Sequence, residues 1–370
     1  MSESMSGGMG GGKVAVVLFN LGGPDRLEAV QSFLANLFSD PAIIGLPALL
    51  RRPLAKLIAR RRAPVAREIY AQIGGGSPLL PLTQAQGEAL EGVLAARGIE
   101  AKSFIAMRYW HPLTEAAVRE VVAWRPDRIV LLPLYPQYST TTTGSSLAAW
   151  DEAAAGAGLA APASAVCCYP TDPGFVAAVA EHVADAIATA RANGGRFRLL
   201  FSAHGLPERV IARGDPYQWQ VERTVAAVMA KLADPGLDHA ICYQSRVGPL
   251  KWIGPSTEEE LERAAEDGVA TAIVVPIAFV SEHSETLVEL DIEYRHLATG
   301  RGIAHYLRVP AVGTTPAFID GLAELVSGAL ERRTGVAGGE GGRLCQERWQ
   351  GCPCLPPTAS GAKAQGDGDG

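Results

Sequence analysis

VVPIAFVSEHSETLVELDIEY, residues 274–294, changes character in the middle. An apolar run ends at Phe279, and acids then arrive at Glu282, Glu285, Glu289 and Glu293. A short apolar segment followed at once by side chains spaced three and four apart reads as a β-strand running into an α-helix with one acidic face. Like charges at that spacing repel by about 0.2–0.5 kcal/mol per pair. The stripe is therefore either a solvated surface or a path for something positive.

The same alternation extends outward along the chain. Strand-like runs occupy 14–19, 103–107, 128–134, 163–168, 198–202, 239–243, 270–278 and 303–308. Helix-like patterns fill 82–96, 173–192, 216–232, 257–266 and 316–333. Alternation of this kind predicts an α/β fold with parallel sheets covered by helices on both faces. Because a second set of strands resumes after residue 163, two similar doubly wound lobes are expected, 13–160 and 161–334, although no sequence repeat marks a duplication. Residues 1–12 read as a floppy leader, 335–355 as a glycine linker with a cysteine segment, and 356–370 as a disordered tail.

Composition bounds the function. With 370 residues, 48% apolar and 19% charged, the chain has the mixture of a soluble globular protein. A net charge of -6 argues against nucleic acid as the main partner. No apolar run approaches the ~20 residues of a transmembrane helix, and the start lacks a secretory signal. A cytoplasmic protein is expected, in which the six cysteines are not presumed to be disulfides.

In open parallel sheets, ligands bind beyond the carboxyl ends of the strands. The polar stretches there are NLGGP, RYWHP, YPQYSTTTTGSS, AHGLP, YQSRVGP and VSEHSE. None is a G-x-G-x-x-G or P-loop fingerprint, which excludes a standard nucleotide site. His204 in LLFSAHGLP stands just beyond one strand, and taken alone it equally suits a packed or capping histidine. Glu285 offers a carboxylate at a comparable strand end. Imidazole and carboxylate together suit Fe²⁺ or another divalent ion, and the same two groups can move protons. Glu282, Glu289 and Asp291 then become outer or conduit residues, while His283 suits packing as well as support. The hydroxyl-rich YPQYSTTTTGSS suits a pocket with an aromatic wall and also a helix start capped by Thr or Ser. LAKLIARRRAP is a solvated basic face or a lip that meets anionic lipid and substrate carboxylates, which makes 46–62 a candidate for peripheral membrane contact.

NLGGP, IGGGSPL, RYWHPLTEAA, LYPQYSTTTTGSSL, FSAHGLPERVI, YQSRVGPLKWIGPSTEEEL and PIAFVSEHSETLVELDIEY, in this order between about 13 and 316, closely resemble the ferrochelatase family. The resemblance implies two Rossmann-like lobes of the class II chelatase fold with a porphyrin cleft between them. It implies insertion of Fe²⁺ into protoporphyrin IX, giving protohaem and two protons, with no organic cofactor. It makes His204 the cleft histidine that accepts protons, and Glu285 its partner across the porphyrin. It places Glu289 and Glu282 on an acidic path and Leu21 over the ring. Arg108 and Tyr109 become a pocket pair, and Arg61, Arg62, Tyr70 and Ser77 fall where propionates are held. Coproporphyrin III or another tetrapyrrole is the alternative substrate. A non-catalytic porphyrin or haem carrier is the alternative function, although it has no need of His204 and Glu285 together. Oligomeric state is not legible.

RLCQERWQGCPCLPP places Cys345, Cys352 and Cys354 after the glycine stretch, and VCCYP adds Cys167 and Cys168. C-x6-C-x-C is not a standard zinc spacing, yet three thiols point to a soft metal. The family resemblance implies a [2Fe–2S] cluster on Cys345, Cys352 and Cys354, with Cys168 or Cys167 as fourth ligand; unliganded thiols or zinc is the other reading. Adjacent residues on a strand face opposite ways, so only one of Cys167 and Cys168 is expected to reach it. Cys242, inside an apolar strand, reads as a buried small residue.

Overall fold

The computed structural model describes residues 12–246, 250–332 and 334–354. The expected leader, apart from Gly12, and the expected tail lie outside these residues. Among the described residues nine strands form: β1 (Val14–Asn20), β2 (Ala101–Met107), β3 (Arg128–Pro133), β4 (Ala163–Val166), β5 (Phe197–His204), β6 (His239–Gln244), β7 (Thr271–Pro276), β8 (His305–Arg308) and β9 (Gly335–Ala337). The first sheet runs β2-β1-β3-β4-β9 and the second β6-β5-β7-β8. Every strand pair in both sheets is parallel. Leaving β9 aside, the two sheets have the same order, so the repeat that the sequence conceals is plain in the topology.

Parallel strands covered on both faces must be apolar along their whole length. β1, VAVVLFN, meets that demand with all seven residues buried, and it sits between β2 and β3. β7, TAIVVP, does the same between β5 and β8. A single buried cluster spans both sheets. It includes Leu18, Val130, Phe175, Phe201, Val275 and Phe318. The helices Pro173–Asn193 and Pro316–Glu331 contribute to this shared core. They cross where Gly174 meets Gly321, and a Cβ at Gly174 would collide with the carbonyl of Ala317.

Two expectations need correction. The division at 160/161 assigned β4 to the second lobe, but β4 hydrogen-bonds to β3 in the first sheet. The segment taken as a glycine linker supplies β9, which extends that sheet from β4 and carries the chain back from the second lobe to the first. The acidic segment is also not an α-helix. Glu285–Glu293 forms a π-helix, in which the Tyr294 N–H bonds the Glu289 carbonyl five residues back. Such wide turns are uncommon and gather at functional sites.

Candidate active site

In a sheet ordered 2-1-3-4, the strand order reverses between the first and third strands, and the crevice beyond their carboxyl ends receives ligands. This chain has two such points, beyond β1/β3 and beyond β5/β7. A single cleft of about 490 Å³ opens onto both. Asn20, Leu21, Leu134 and Tyr135 line it from the first sheet, and His204, Ala278 and Phe279 from the second. The long helix Ala48–Ala71 adds Arg62, Ala66 and Tyr70 at one side.

His204 is the last residue of β5, and Glu285 opens the π-helix after β7, the neighbouring strand. His204 Nδ1 and Glu285 Oε2 lie 2.9 Å apart. The two groups therefore share one wall, which overturns the expectation that they face each other across the ring. Leu21 and Tyr109 line the cleft from the first lobe. Both partners lie deep in the protein yet open onto the cleft, with 38% and 30% of their side chains accessible. Burial opposes the charge on His204, but the charge and hydrogen bond of Glu285, with help from Glu289, raise its pKa above the usual imidazole value. Burial likewise opposes ionisation of Glu285, yet His204 and His283 together hold it well below the usual carboxylate range. His283 Nε2 is 3.6 Å from the same Glu285 oxygen, and its ring packs on Phe279. Among the described residues, His204 Nε2 has no hydrogen-bond partner, leaving that nitrogen as the basic atom.

Glu289 lies one step further along the π-helix. It accepts from the Ser245 N–H at 2.7 Å, from Gln244 Nε2 at 3.1 Å and from the Tyr294 hydroxyl at 3.1 Å. Ser245 also donates through its hydroxyl. Ser245 has φ +62°, a left-handed backbone in which non-glycine residues are uncommon. That conformation lets both of its donors reach one carboxylate. Burial and the charge of Glu285 raise the Glu289 pKa, so this acid holds a proton more readily than its neighbour.

The acidic stripe divides. Glu285, Glu289 and Glu293 line the cleft. Glu282, expected on the path, turns aside to pair with Arg308 at 2.6 Å and to accept from the Ala311 N–H. Asp291 pairs with Arg295. Of the expected substrate residues, Leu21, Arg62, Tyr70, Ser77 and Tyr109 line the cleft, whereas Arg61 and Arg108 do not. Arg61 is exposed on the outer face of its helix. Arg108 pairs with the buried Asp40 at 3.0 Å and bonds Ser145 Oγ. Asp40 also accepts from the Tyr109 hydroxyl at 2.9 Å, so Arg108 and Asp40 hold Tyr109 from behind. Burial pushes the Tyr70 hydroxyl up to about 12, and Ser284 lies 3.5 Å from it. The helix start expected in YPQYSTTTTGSS is present at Thr143, but no side chain caps it. Gln137, Ser139, Thr141 and Thr142 instead line the cleft. Gln137, Ser245 and His283 received no firm role from sequence; only their position after strand ends marked them.

The cysteines form a second centre. Cys167 Sγ lies 2.9 Å from Cys354 Sγ and 3.4 Å from Cys168 Sγ. Cys167, Cys352 and Cys354 offer sulfurs all within 4.8 Å of one another. Cys345 accepts from Gln220 Nε2 at 3.1 Å and lies within electrostatic reach of Cys168 and Cys352. The expectation that only one of the adjacent pair reaches this group is overturned: β4 ends at Val166, so strand alternation does not govern Cys167 and Cys168. Cys242 sits apart, buried in β6, and accepts from Thr257.

Comparison with known proteins fits this geometry. The ferrochelatase family model matches residues 13–330. The chain belongs to the ferrochelatase family. Ferrochelatase of Caulobacter vibrioides is 56% identical over 344 residues, 92% of this chain and 97% of that protein. Ferrochelatase of Pelagibacter ubique is 49% identical over 346 residues, 93% and 99% of the two chains. Among solved structures, SirB from Bacillus subtilis with Fe³⁺ aligns over 87% of this chain and 99% of its own, at 14% identity and a TM-score of 0.49. Ferrochelatase membership makes this chain a lyase that inserts iron into a porphyrin in haem synthesis. Among the described residues, no helix is long and apolar enough to cross a membrane.

Proposed function

We propose that the cleft binds protoporphyrin IX between Leu21 and Tyr109 on one wall and His204, Glu285 and Glu289 on the other. The observation that carries this reading is the His204–Glu285 pair opening onto a single apolar cleft. Metallation must remove two pyrrole protons and bring a stripped Fe²⁺ to the ring centre. With Nδ1 tied to Glu285, His204 presents Nε2 as a base that its carboxylate partner strengthens. Glu289, whose raised pKa suits proton holding, takes the proton onward or meets incoming iron. Packing of a flat ring against the apolar wall favours a bent form, whose nitrogen lone pairs tilt toward the metal.

Arg62, Tyr70 and Ser77 receive the propionates at the mouth. The helix Ala48–Ala71 exposes Leu49 and Leu50, 90% and 61% accessible, beside Arg51, Arg52 and Lys56. That surface suits peripheral contact with anionic lipid, from which a poorly soluble porphyrin would be delivered.

The converging thiols fit a [2Fe–2S] cluster. Cys345, Cys352 and Cys354 come from the tail, the remaining thiol from Cys167 or Cys168, and a soft, buried sulfur set selects such a group. When bound, the cluster would supply a redox-active cross-link between the tail and the body.

An anaerobic assay of protoporphyrin with Fe²⁺ tests the proposal. The expected result is loss of porphyrin fluorescence as haem forms, with His204→Ala keeping porphyrin binding while metallation drops about 10²–10⁴-fold. Turnover close to wild type in His204→Ala removes that residue from the chemistry.

A further inference from the structure

A [2Fe–2S] cluster takes four thiolates, but five converge here. Three of them, Cys345, Cys352 and Cys354, come from the tail, and the body supplies two adjacent thiols. The backbone carrying those two is clamped on both sides. The Cys167 N–H bonds the Ala337 carbonyl at 2.8 Å, the Gly339 N–H bonds the Cys168 carbonyl at 2.8 Å, and the Tyr169 N–H bonds the Pro136 carbonyl at 2.8 Å. β9 and the turn after it therefore grip the pair just past the end of β4, and both sulfurs turn to the same side, 3.4 Å apart. Cys167 abuts Cys354, while Cys168 lies within electrostatic reach of Cys345.

We propose that Cys167 and Cys168 are interchangeable ligands, so that the centre carries a standby thiol able to take over the fourth coordination position. This rests on the iron–sulfur reading above. Two sulfurs in contact on a fixed backbone exchange roles by side-chain rotation alone, with no movement of β4 or β9. Both residues are shut away from solvent, at 0% and 1% exposure, which protects the unused thiol from oxidation. The neighbours on hand suit either ligand: Gln220 donates to Cys345 at 3.1 Å, and Arg332 lies near Cys167 and Cys354 as a positive counterweight. The standby thiol serves only that fourth position, so the loss of a tail ligand is expected to go uncompensated.

The test uses anaerobically purified full-length protein in five forms: wild type, Cys167→Ala, Cys168→Ala, the double variant, and Cys352→Ala. Iron and acid-labile sulfide per chain are measured together with visible absorption and circular dichroism. Both single variants are expected to keep wild-type iron and sulfide with shifted dichroism bands. The double variant and Cys352→Ala are expected to lose both. Loss of sulfide from either folded single variant, or its retention in the double variant or in Cys352→Ala, overturns the proposal. Absence of labile sulfide from the wild type overturns the cluster reading itself, a separate outcome. Thermal melts report folding, and any single alanine variant that does not fold is replaced by serine at the same position, which preserves size.

Discussion

His204, at the end of β5, and Glu285, at the start of the π-helix that follows the neighbouring strand β7, form a hydrogen-bonded pair 2.9 Å apart. A carboxylate bound to one imidazole nitrogen fixes the ring and raises the basicity of the other. The pair thus acts as a unit, and its pH behaviour follows. His204 has a raised pKa, so its ion pair contributes stability fully below the ordinary imidazole value and loses it as pH rises through the raised one. Glu285 is depressed, so its contribution is present above the ordinary carboxylate value and lost as pH falls through the lowered one. Metallation needs neutral His204, so kcat/KM should rise with pH through the raised value. Glu285→Gln removes what raises it, and the acid limb should move to lower pH. A pH–rate profile of the two proteins checks this, and an unmoved limb separates Glu285 from His204.

Glu289 is expected to govern iron more than porphyrin. In Glu289→Gln an amide NH₂ faces the donors of Ser245 and Gln244. Loss of one charge-assisted contact corresponds to roughly tenfold or more. KM for Fe²⁺ should rise by about that factor, while the porphyrin Kd from fluorescence stays near wild type. An unchanged KM and rate for iron removes Glu289 from the metal path.

Asp40 is the hidden support of the first wall. It pairs with Arg108 and accepts from Tyr109, with only 1% of its side chain accessible. Asp40→Ala leaves the Arg108 charge unmatched, and removing one partner of a buried pair costs about 3 kcal/mol. A drop of several degrees in Tm is expected, together with weaker porphyrin binding as Tyr109 loosens. A melting temperature equal to that of wild type would show that Arg108 has another anchor.

Contact with lipid is predicted to run through Leu49 and Leu50. Replacing both with serine should reduce cosedimentation with phosphatidylserine vesicles several-fold and leave metallation in detergent unchanged. Added salt should weaken the binding that remains, because that part is electrostatic. Equal vesicle binding by the double variant and the wild type moves the contact elsewhere.

The strands were legible because parallel burial imposes unbroken apolar runs, and all eight expected runs form strands. Two helix starts were also written locally. Ser256 and Glu259 make a capping box ahead of 257–266, and Asp172 caps Phe175 with Pro173 in the first turn. What eluded the sequence depends on long-range partners. β9 is three residues held by backbone bonds to β4, with no apolar run to announce it. The helix Ala48–Ala71 contains Pro53 and Pro64, which locally argue against a helix. Four-residue spacing in 285–293 fits both an α-helix and a π-helix, and only the second is formed. Ending β4 two residues earlier than the expected run was enough to reverse the reading of Cys167 and Cys168. Glu282 and Arg308 are 26 positions apart, and nothing local to either marks the pairing that turns Glu282 away from the cleft.

β9 gives the chain an unusual assembly order. A ribosome delivers the first sheet early, but the cover for its outer border only after the entire second sheet. Until then β4 shows a row of unsatisfied amides and carbonyls, the feature that invites pairing between nascent copies. Stopping synthesis before Gly335 would thus do more than remove the cysteines: it would release a product prone to stick to its own kind.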